Sequence, residues 1–493
     1  MNLKEVFRDA PIIYLLIVLG GLLGYFLRLI LARNLSVVDY GLFYAVYAFV
    51  FFFAPFKTLG LQEAQVFFIN KNRKKFSYVK SVFFTTLGIQ FLASLIIGVL
   101  IILFSGFLAE NYFKNSAAST LLVLIAIVFV LDTFFLHFLS FFAANQKIKF
   151  LAIGDFLKTF FIIIFVLIFF EVLSSSVLVP GYSYVLGYVI VILIFLFLML
   201  RKFKSVFSST LKVNKVLTKK LLNYAIPIML AIGGTIFLTS TDTILLTYFS
   251  GLESVGLYNV ALPIMAMLAL FSTPISTILF PKISELHHAN KSKDISEVLN
   301  IIYNNYLIIA LPLCLSLFFY SDALIILLFG SKFLGATIIL KIFSVFFVFM
   351  SLKDINFSVI AGIGKPKETS KIIYIAATFN LVANIVLIPS FGIIGAALAT
   401  VTSFFIMFVL SIRVLKKKYY LKFNYVQQLK IVLSSLLFLL SIFLLQRIIL
   451  ISNAYIKSVI ILAISFIAYF VLLFLIGVLN KNKILLVKNV IFN

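Results

Sequence analysis

Cysteine is nearly missing from this chain. Cys314 is the single one among 493 residues and lies in an apolar run, which leaves no disulfide framework and no cysteine-based metal site. Charge is scarce too. Only 12% of residues are charged, where a water-soluble domain of this size carries about a quarter, so most of the surface must face lipid. Acidic residues are the scarcer sign, 16 against 41 Lys and Arg. Tryptophan is absent while Phe numbers 59 and Tyr 22. Beside the abundant Ile, Lys and Asn this fits AT-rich coding, and no chemistry is read from it.

What is present is apolar: 63% of residues are hydrophobic and the mean hydropathy is +1.20. About 20 apolar residues in a helix cross 30 Å of hydrocarbon. That criterion places spans near 10–32, 41–69, 79–105, 119–143, 150–170, 182–200, 222–249, 256–281, 301–320, 336–360, 370–388, 393–413, 427–446 and 457–479. Continuous apolar runs of this length exclude a barrel. The fold class is therefore an all-α polytopic membrane protein of about 14 transmembrane helices, the second long enough to tilt or break. Lys4 and Arg8 precede a run from Pro11 to about Leu31 that is too long for a cleaved signal. It reads as the first helix, an uncleaved anchor.

The net charge of +25 does not require a nucleic acid, because the basic residues are sorted by side. With the N-terminus inside, about 31 of the 41 fall in inside segments. These include Lys71, Arg73, Lys74 and Lys75, the run from Arg201 to Lys220, Arg413 with Lys416–Lys418, and Lys481, Lys483 and Lys488. Both termini are expected to be cytoplasmic in the cell membrane, the charge lying against anionic lipid.

The long inside loop 201–220 separates six helices from eight, and punctuation recurs on either side of it. Asp39-Tyr40-Gly41-Leu42-Phe43 before the second helix is echoed by Ser254-Val255-Gly256-Leu257-Tyr258 before the eighth. Pro11, Gly20-Gly21 and Arg28 in the first helix match Pro227, Gly233-Gly234 and Asp242 in the seventh. Pro180 with Gly187 matches Pro389 with Gly395. Three echoes in one order suggest two related lobes, 1–200 and 221–416, joined by a 201–220 linker, with 417–493 as two appended helices and a tail. Such repeats commonly form a transporter with its site at the repeat interface.

These residues, together with Leu59-Gly60-Leu61-Gln62-Glu63-Ala64, the stretch Pro227 to Pro263, Pro281-Lys282-Ile283-Ser284-Glu285-Leu286 and Ile388-Pro389 through Gly395-Ala396-Ala397, resemble the polysaccharide-biosynthesis (O-antigen-type) flippases. That family belongs to the multidrug/oligosaccharidyl-lipid/polysaccharide exporter superfamily. The resemblance covers essentially the whole chain. It implies two six-helix lobes around a central cavity, and alternating-access movement of a polyprenyl-diphosphate-linked oligosaccharide from the cytoplasmic to the outer leaflet. No cofactor is implied. Membrane lipid is a partner, glycan-assembly enzymes are a partner class left open, and a monomer is expected.

Ionisable residues inside spans are costly and usually face protein or a wet cavity. Five are basic (Arg28, Lys57, Lys158, Lys341, Lys353) and five acidic (Glu63, Asp132, Asp155, Asp242, Asp354). The set balances to about zero, whereas the resemblance implies a cationic cavity for the diphosphate. Arg28 shares a face with Gly20 and Gly24 and is expected either to turn into the cavity and hold a phosphate or to snorkel outward. Lys57, after the kink at Pro55, is an anion contact or a partner for Glu63. Lys158 lies three residues from Asp155, the spacing of a local ion pair. Asp242, within Thr239-Ser240-Thr241-Asp242-Thr243, is a cation or proton site, a sugar-hydroxyl acceptor or a partner for Arg28. Asp132 and His137 point about 140° apart on one helix, so Asp132 reads as an ion-coupling or structural acid and His137 as part of a polar stripe. Lys353 and Asp354 mark the tenth helix as a cavity wall.

Two other classes compete. A drug or metabolite exporter would share the fold and use Asp132 and Asp242 for cation coupling. A membrane glycosyltransferase or polymerase would need a sizeable outer loop with catalytic groups, and 106–118 offers Glu110 and Lys114. Gly362-Ile363-Gly364-Lys365 looks like a fragment of a phosphate loop, but Val359 and Pro366 stand where that motif needs Gly and Ser or Thr. It reads as a short turn.

Overall fold

The computed structural model describes residues 3–173, 176–212, 214–269, 272–419 and 424–479. They are helical throughout, with no strand among them. Eleven helices are long and apolar enough to cross a membrane, or twelve if the bent pair Lys215–Leu230 and Gly233–Met265 is one span. Pro366–Lys418 is two helices joined at Gly392 (φ 54°, ψ −129°), the boundary expected between spans 370–388 and 393–413. Lys215–Ala269 is likewise two helices joined at Gly251 (φ 83°, ψ 177°), between the expected spans 222–249 and 256–281. The latter span runs on over residues outside the description. Lys481, Lys483 and Lys488 lie outside the described residues.

Two compact units divide the chain, Met1–Asn259 and Val260–Asn493. In the first, α1 (Leu3–Asn34) packs on Lys149–Leu173, and Ala117–Ala144 is the central helix, packed chiefly against Leu178–Lys202, Phe76–Leu103 and Leu61–Lys71. The expected second span is three segments: α2 (Val37–Phe51), α3 (Ala54–Thr58) and α4 (Leu61–Lys71). Ser36 caps α2, its Oγ accepting from the Asp39 amide at 3.0 Å and donating to Asp39 Oδ2 at 2.7 Å. Pro55 removes an amide from the ladder, and Leu59 (φ 50°) and Gly60 (φ 69°) are both left-handed. The helical ladder is interrupted there between α3 and α4.

In the second unit, Thr337–Gly362 lies against Thr273–His288, Ser292–Phe319 and Pro366–Lys418. Tyr303 donates to Asn356 Oδ1, and Asn356 Nδ2 donates to Ser411 Oγ at 2.8 Å, tying three of these helices together. The last two helices, Tyr425–Ile448 and Ala454–Leu475, pack on each other around Ile431, Phe438 and Tyr469, and Tyr469 donates to the Ile308 carbonyl at 3.0 Å. Gly364 (φ 76°) turns the chain between helices ending at Gly362 and starting at Pro366, so the phosphate-loop fragment is a turn.

The molecule is apolar outside and holds polar groups inside. Leu15, Leu22 and Phe26 of α1 are about half exposed, while Thr85, Thr86, Gln90 and Ser94 are buried. Buried hydroxyls bond the carbonyl one turn back, Thr85 to Ser81 at 2.7 Å and Ser183 to Val179 at 2.8 Å, so they need no water.

The small-residue face expected on α1 is not where helices approach most closely. A β-carbon at Gly20 would meet only Phe156 backbone atoms at 3.9 Å, and at Gly24 nothing within 4 Å. The tight approach belongs to the repeated motifs themselves. A β-carbon at Gly41 would lie 1.9 Å from the Leu252 carbonyl oxygen and 2.8 Å from the Gly256 amide; one at Gly256 would lie 2.3 Å from the Val37 carbonyl oxygen. The two echoed glycines face each other. Gly41→Ala and Gly256→Ala are each expected to cost about 1–3 kcal/mol by overpacking, read as a lower melting temperature in detergent. Gly88→Ala, with open space before it, should cause no loss. Unchanged melting of both tight-site variants would refute this contact.

Candidate functional site

Four of the five intramembrane bases are cancelled by carboxylates. Lys57 on α3 is fully buried and donates to Asp132 Oδ2 at 2.6 Å and to the Phe129 carbonyl at 3.0 Å. Its ammonium also lies over the Phe129 ring at 4.2 Å and the Phe51 ring at 5.1 Å. Asp132 takes a second bond from the Tyr188 hydroxyl at 2.9 Å. Lys57 therefore has Asp132 as its partner, not Glu63. The break at Leu59 and Gly60 separates Lys57 from Glu63, and Asp132 comes from a neighbouring helix. Lys158 pairs with Asp155 at 2.9 Å, Lys341 with Asp322 at 3.2 Å, and Lys353 with Asp354 at 2.6 Å.

His137 and Asp132 keep separate company. His137 is fully buried, its Nδ1 3.2 Å from Gln90 Oε1, and Gln90 Nε2 donates to the Thr58 carbonyl at 3.1 Å. That carbonyl stands at the helix break, so His137 and Gln90 satisfy an acceptor the break would otherwise leave bare. Gln90 was not among the residues singled out by sequence; an amide in an apolar run was its only signal. Lys353 is buried against the rings of Phe357 (5.7 Å) and Phe404 (5.2 Å), and its partner Asp354 is partly exposed.

Arg28 is different. No ion pair among the described residues includes it. Its guanidinium sits over the Tyr44 ring at 4.4 Å, and Nη1 donates to the Asn259 carbonyl at 3.4 Å; Tyr40 and Tyr184 lie within electrostatic reach. It turns into the protein. Around it α2 presents a row of aromatic side chains at helical spacing, Tyr40, Tyr44, Tyr47 and Phe51, with Tyr47 stacked on Phe51 at 4.3 Å and Tyr184 beside Tyr47 at 5.9 Å. That row leads from Arg28 to the Lys57–Asp132 pair.

Asp242 belongs to the same unit and neighbourhood. Its Oδ2 accepts from the Tyr258 hydroxyl at 2.6 Å, and Asn259 Nδ2, next in the chain, donates to Thr243 Oγ1 at 3.3 Å. The residue pair Tyr258-Asn259 thus touches Asp242, Thr243 and Arg28 at once. It follows directly on Gly256, whose close approach to Val37 brings it there.

Residues 6–287 match the family of polysaccharide biosynthesis proteins, more than half of the chain. An uncharacterized membrane protein of Methanocaldococcus jannaschii is 31% identical over 430 residues, 84% of this chain and 83% of that protein. A Haloferax volcanii protein described as a probable low-salt glycan biosynthesis flippase, Agl15, is 29% identical over 210 residues, 42% of this chain and 44% of its own. Among solved structures, the lipid II flippase MurJ in an inward closed conformation superposes with a TM-score of 0.76 at 18% identity, over 93% of this chain and 97% of that one. The chain belongs to the polysaccharide biosynthesis protein family, and it is a multi-pass membrane protein.

The Lys57–Asp132 pair should behave as a unit. Lys57→Met leaves a buried carboxylate without its cation and is expected to cost about 3–5 kcal/mol, measured by melting in detergent. The K57M/D132N double variant should recover most of that loss. Additive losses would show that the two side chains do not depend on each other.

Proposed function

We propose that this protein is a flippase that carries a lipid-diphosphate-linked oligosaccharide from the cytoplasmic to the outer leaflet of the cell membrane, for assembly of a surface polysaccharide or glycan. The observation that carries this reading is Arg28, the intramembrane cation that no carboxylate neutralises among the described residues. An overall balance of charge hides it. Once the lysines are paired, one guanidinium is left with neutral partners, and a guanidinium suits a phosphate because it can donate two parallel bonds. The relatives support the same reading: one is named a glycan biosynthesis flippase and the superposed structure a lipid II flippase.

In this reading the lipid tail stays in the membrane while the head passes through the protein, and two alternating conformations suffice without covalent chemistry. The protein is a transporter and not an enzyme. The moving parts are the lobes 1–200 and 221–416, with 201–220 linking them and 417–493 appended. Both termini face the cytoplasm, and the protein works as a monomer beside glycan-assembly enzymes. Gly41 and Gly256 meet at the end of their helices that this orientation places outside, which makes their contact the one that must part when the outer side opens. Asp242, with Tyr258, is a sugar-hydroxyl or cation contact. Lys57, Asp132 and His137 hold the broken second span in shape, and Lys353 with Asp354 forms a wall in the second unit. Asp132 is engaged by Lys57, which counts against cation-coupled drug export through that residue.

The test is to deplete the protein in its own cells and locate the lipid-linked oligosaccharide by leaflet. It should accumulate on the cytoplasmic side and be restored by the wild-type gene. Arg28→Ala should insert normally yet transport poorly, and Arg28→Lys, which keeps the charge but loses the fork, should lose about tenfold, the value of one 1.4 kcal/mol contact. Unchanged amount and sidedness in cells with no second flippase would overturn the reading.

A further inference from the structure

Within the first unit, α4 faces the end of helix Ala117–Ala144 and the start of Lys149–Leu173 across a pocket of about 920 Å³. That volume is in the range of small-molecule sites. The pocket opens at the end of the unit that bears Lys71, Arg73, Lys74 and Lys75, the end that the positive-inside argument places in the cytoplasm.

Its lining is polar in a specific way. Gln62, Glu63, Asn70 and Ser140 all face it, and none of the four has a side-chain partner among the described residues. Gln62, Glu63 and Ser140 are half-buried and Asn70 is exposed, so all four present free donors and acceptors to whatever enters the pocket. Against them stands a flat aromatic face, Phe67 stacked on Tyr224 with ring centroids 4.7 Å apart and 16° between planes, Phe67 being 44% exposed.

The charges narrow the ligand further. Glu63 has no cation in an ion pair, and Asp155, also in the lining, is already held by Lys158. Lys71 is the one base among the lining residues. A diphosphate would meet two carboxylates, Glu63 outside any ion pair and Asp155 held by Lys158, against the single lysine Lys71. A sugar ring meets what it needs: amides that both donate and accept, a carboxylate and a hydroxyl that accept from its hydroxyls, and an aromatic face for its C–H side.

We propose that this pocket binds a sugar residue of the transported headgroup on the cytoplasmic side, apart from the phosphate contact at Arg28. The proposal rests on the flippase reading, but its test is separate. The chain has no tryptophan, so Phe67→Trp puts a single indole at the pocket, and Tyr224→Trp gives a second reporter should the first fail to fold. Full-length protein in lipid nanodiscs is titrated with two probes. One is the water-soluble oligosaccharide released by mild acid from the lipid-linked pool of the same cells; the other is inorganic pyrophosphate. The oligosaccharide should change the emission of both reporters saturably, pyrophosphate should not, and adding Gln62→Ala or Asn70→Ala should weaken binding at least tenfold. Transport by the wild-type chain in proteoliposomes is measured in parallel. Transport with reporters silent to the oligosaccharide, or responding only to pyrophosphate, would overturn the sugar pocket and leave the flippase reading standing. Saturable oligosaccharide binding without transport would support the pocket and overturn the flippase reading.

Discussion

Every charged group that enters a hydrocarbon slab must be answered there, and in this protein the answer at Lys57 sets much of the first unit. A fully buried ammonium is tolerable only with an ion partner and further dipoles. Lys57 has Asp132, the Phe129 carbonyl and two ring faces, and Asp132 in turn has Tyr188. These partners lie on helix Ala117–Ala144 and helix Leu178–Lys202, so the pair holds three parts of the chain in register. It also anchors the five-residue segment α3, too short to persist as a helix on its own. The break after it leaves the Thr58 carbonyl to be met by Gln90, and Gln90 is in turn positioned by His137. One buried lysine thus carries with it a broken helix, an amide and an imidazole.

Cancelling charges also gives Arg28 its character. A bundle that left several cations open would bind anions diffusely. Here lysine after lysine is matched by a carboxylate, by a near neighbour on one helix or across helices, and the guanidinium is instead cradled by a tyrosine ring and a backbone carbonyl. Cation–π and carbonyl contacts hold the group without neutralising it. The close approach of Gly41 and Gly256 places Asn259 and Tyr258 beside it. The glycine echoes are therefore the means by which a polar cluster is assembled from residues more than two hundred positions apart.

Signals with a local period were legible in the sequence. The spans follow from apolar runs, the break of the second from its length and Pro55, the Lys158–Asp155 pair from i,i+3 spacing, and the turn at Gly364 from the poor match to a phosphate loop. Pairings between helices were not. Lys57 and Asp132 are 75 residues apart, and nothing in either helix names the other; Glu63 was nearer in sequence but lay beyond the break. The Gly20–Gly24 face shows the same limit, since small residues permit a close approach without deciding which helix makes it. Gln62 carried meaning only as part of the stretch Leu59-Gly60-Leu61-Gln62-Glu63-Ala64, and Asn70 carried none, because a pocket is a property of neighbours.

A lipid-diphosphate sugar has two chemistries in one headgroup, and a single site suits both badly. Groups that welcome phosphate, fixed cations with spare donors, do little for the carbon face of a sugar. Groups that welcome sugars, amides beside an aromatic plane, gain nothing from a strong positive field, and a carboxylate among them actively repels phosphate. The first unit divides these properties. Arg28 offers donors with no opposing carboxylate in an ion pair, while Glu63 stands among amides and the Phe67–Tyr224 face with no cation paired to it. Had Glu63 been matched by Lys57, the two regions would have lost their contrast. The Lys57–Asp132 pair, by taking the lysine away, leaves Glu63 outside any ion pair, and in the reading proposed above that contrast directs phosphate to Arg28 and sugar to the pocket.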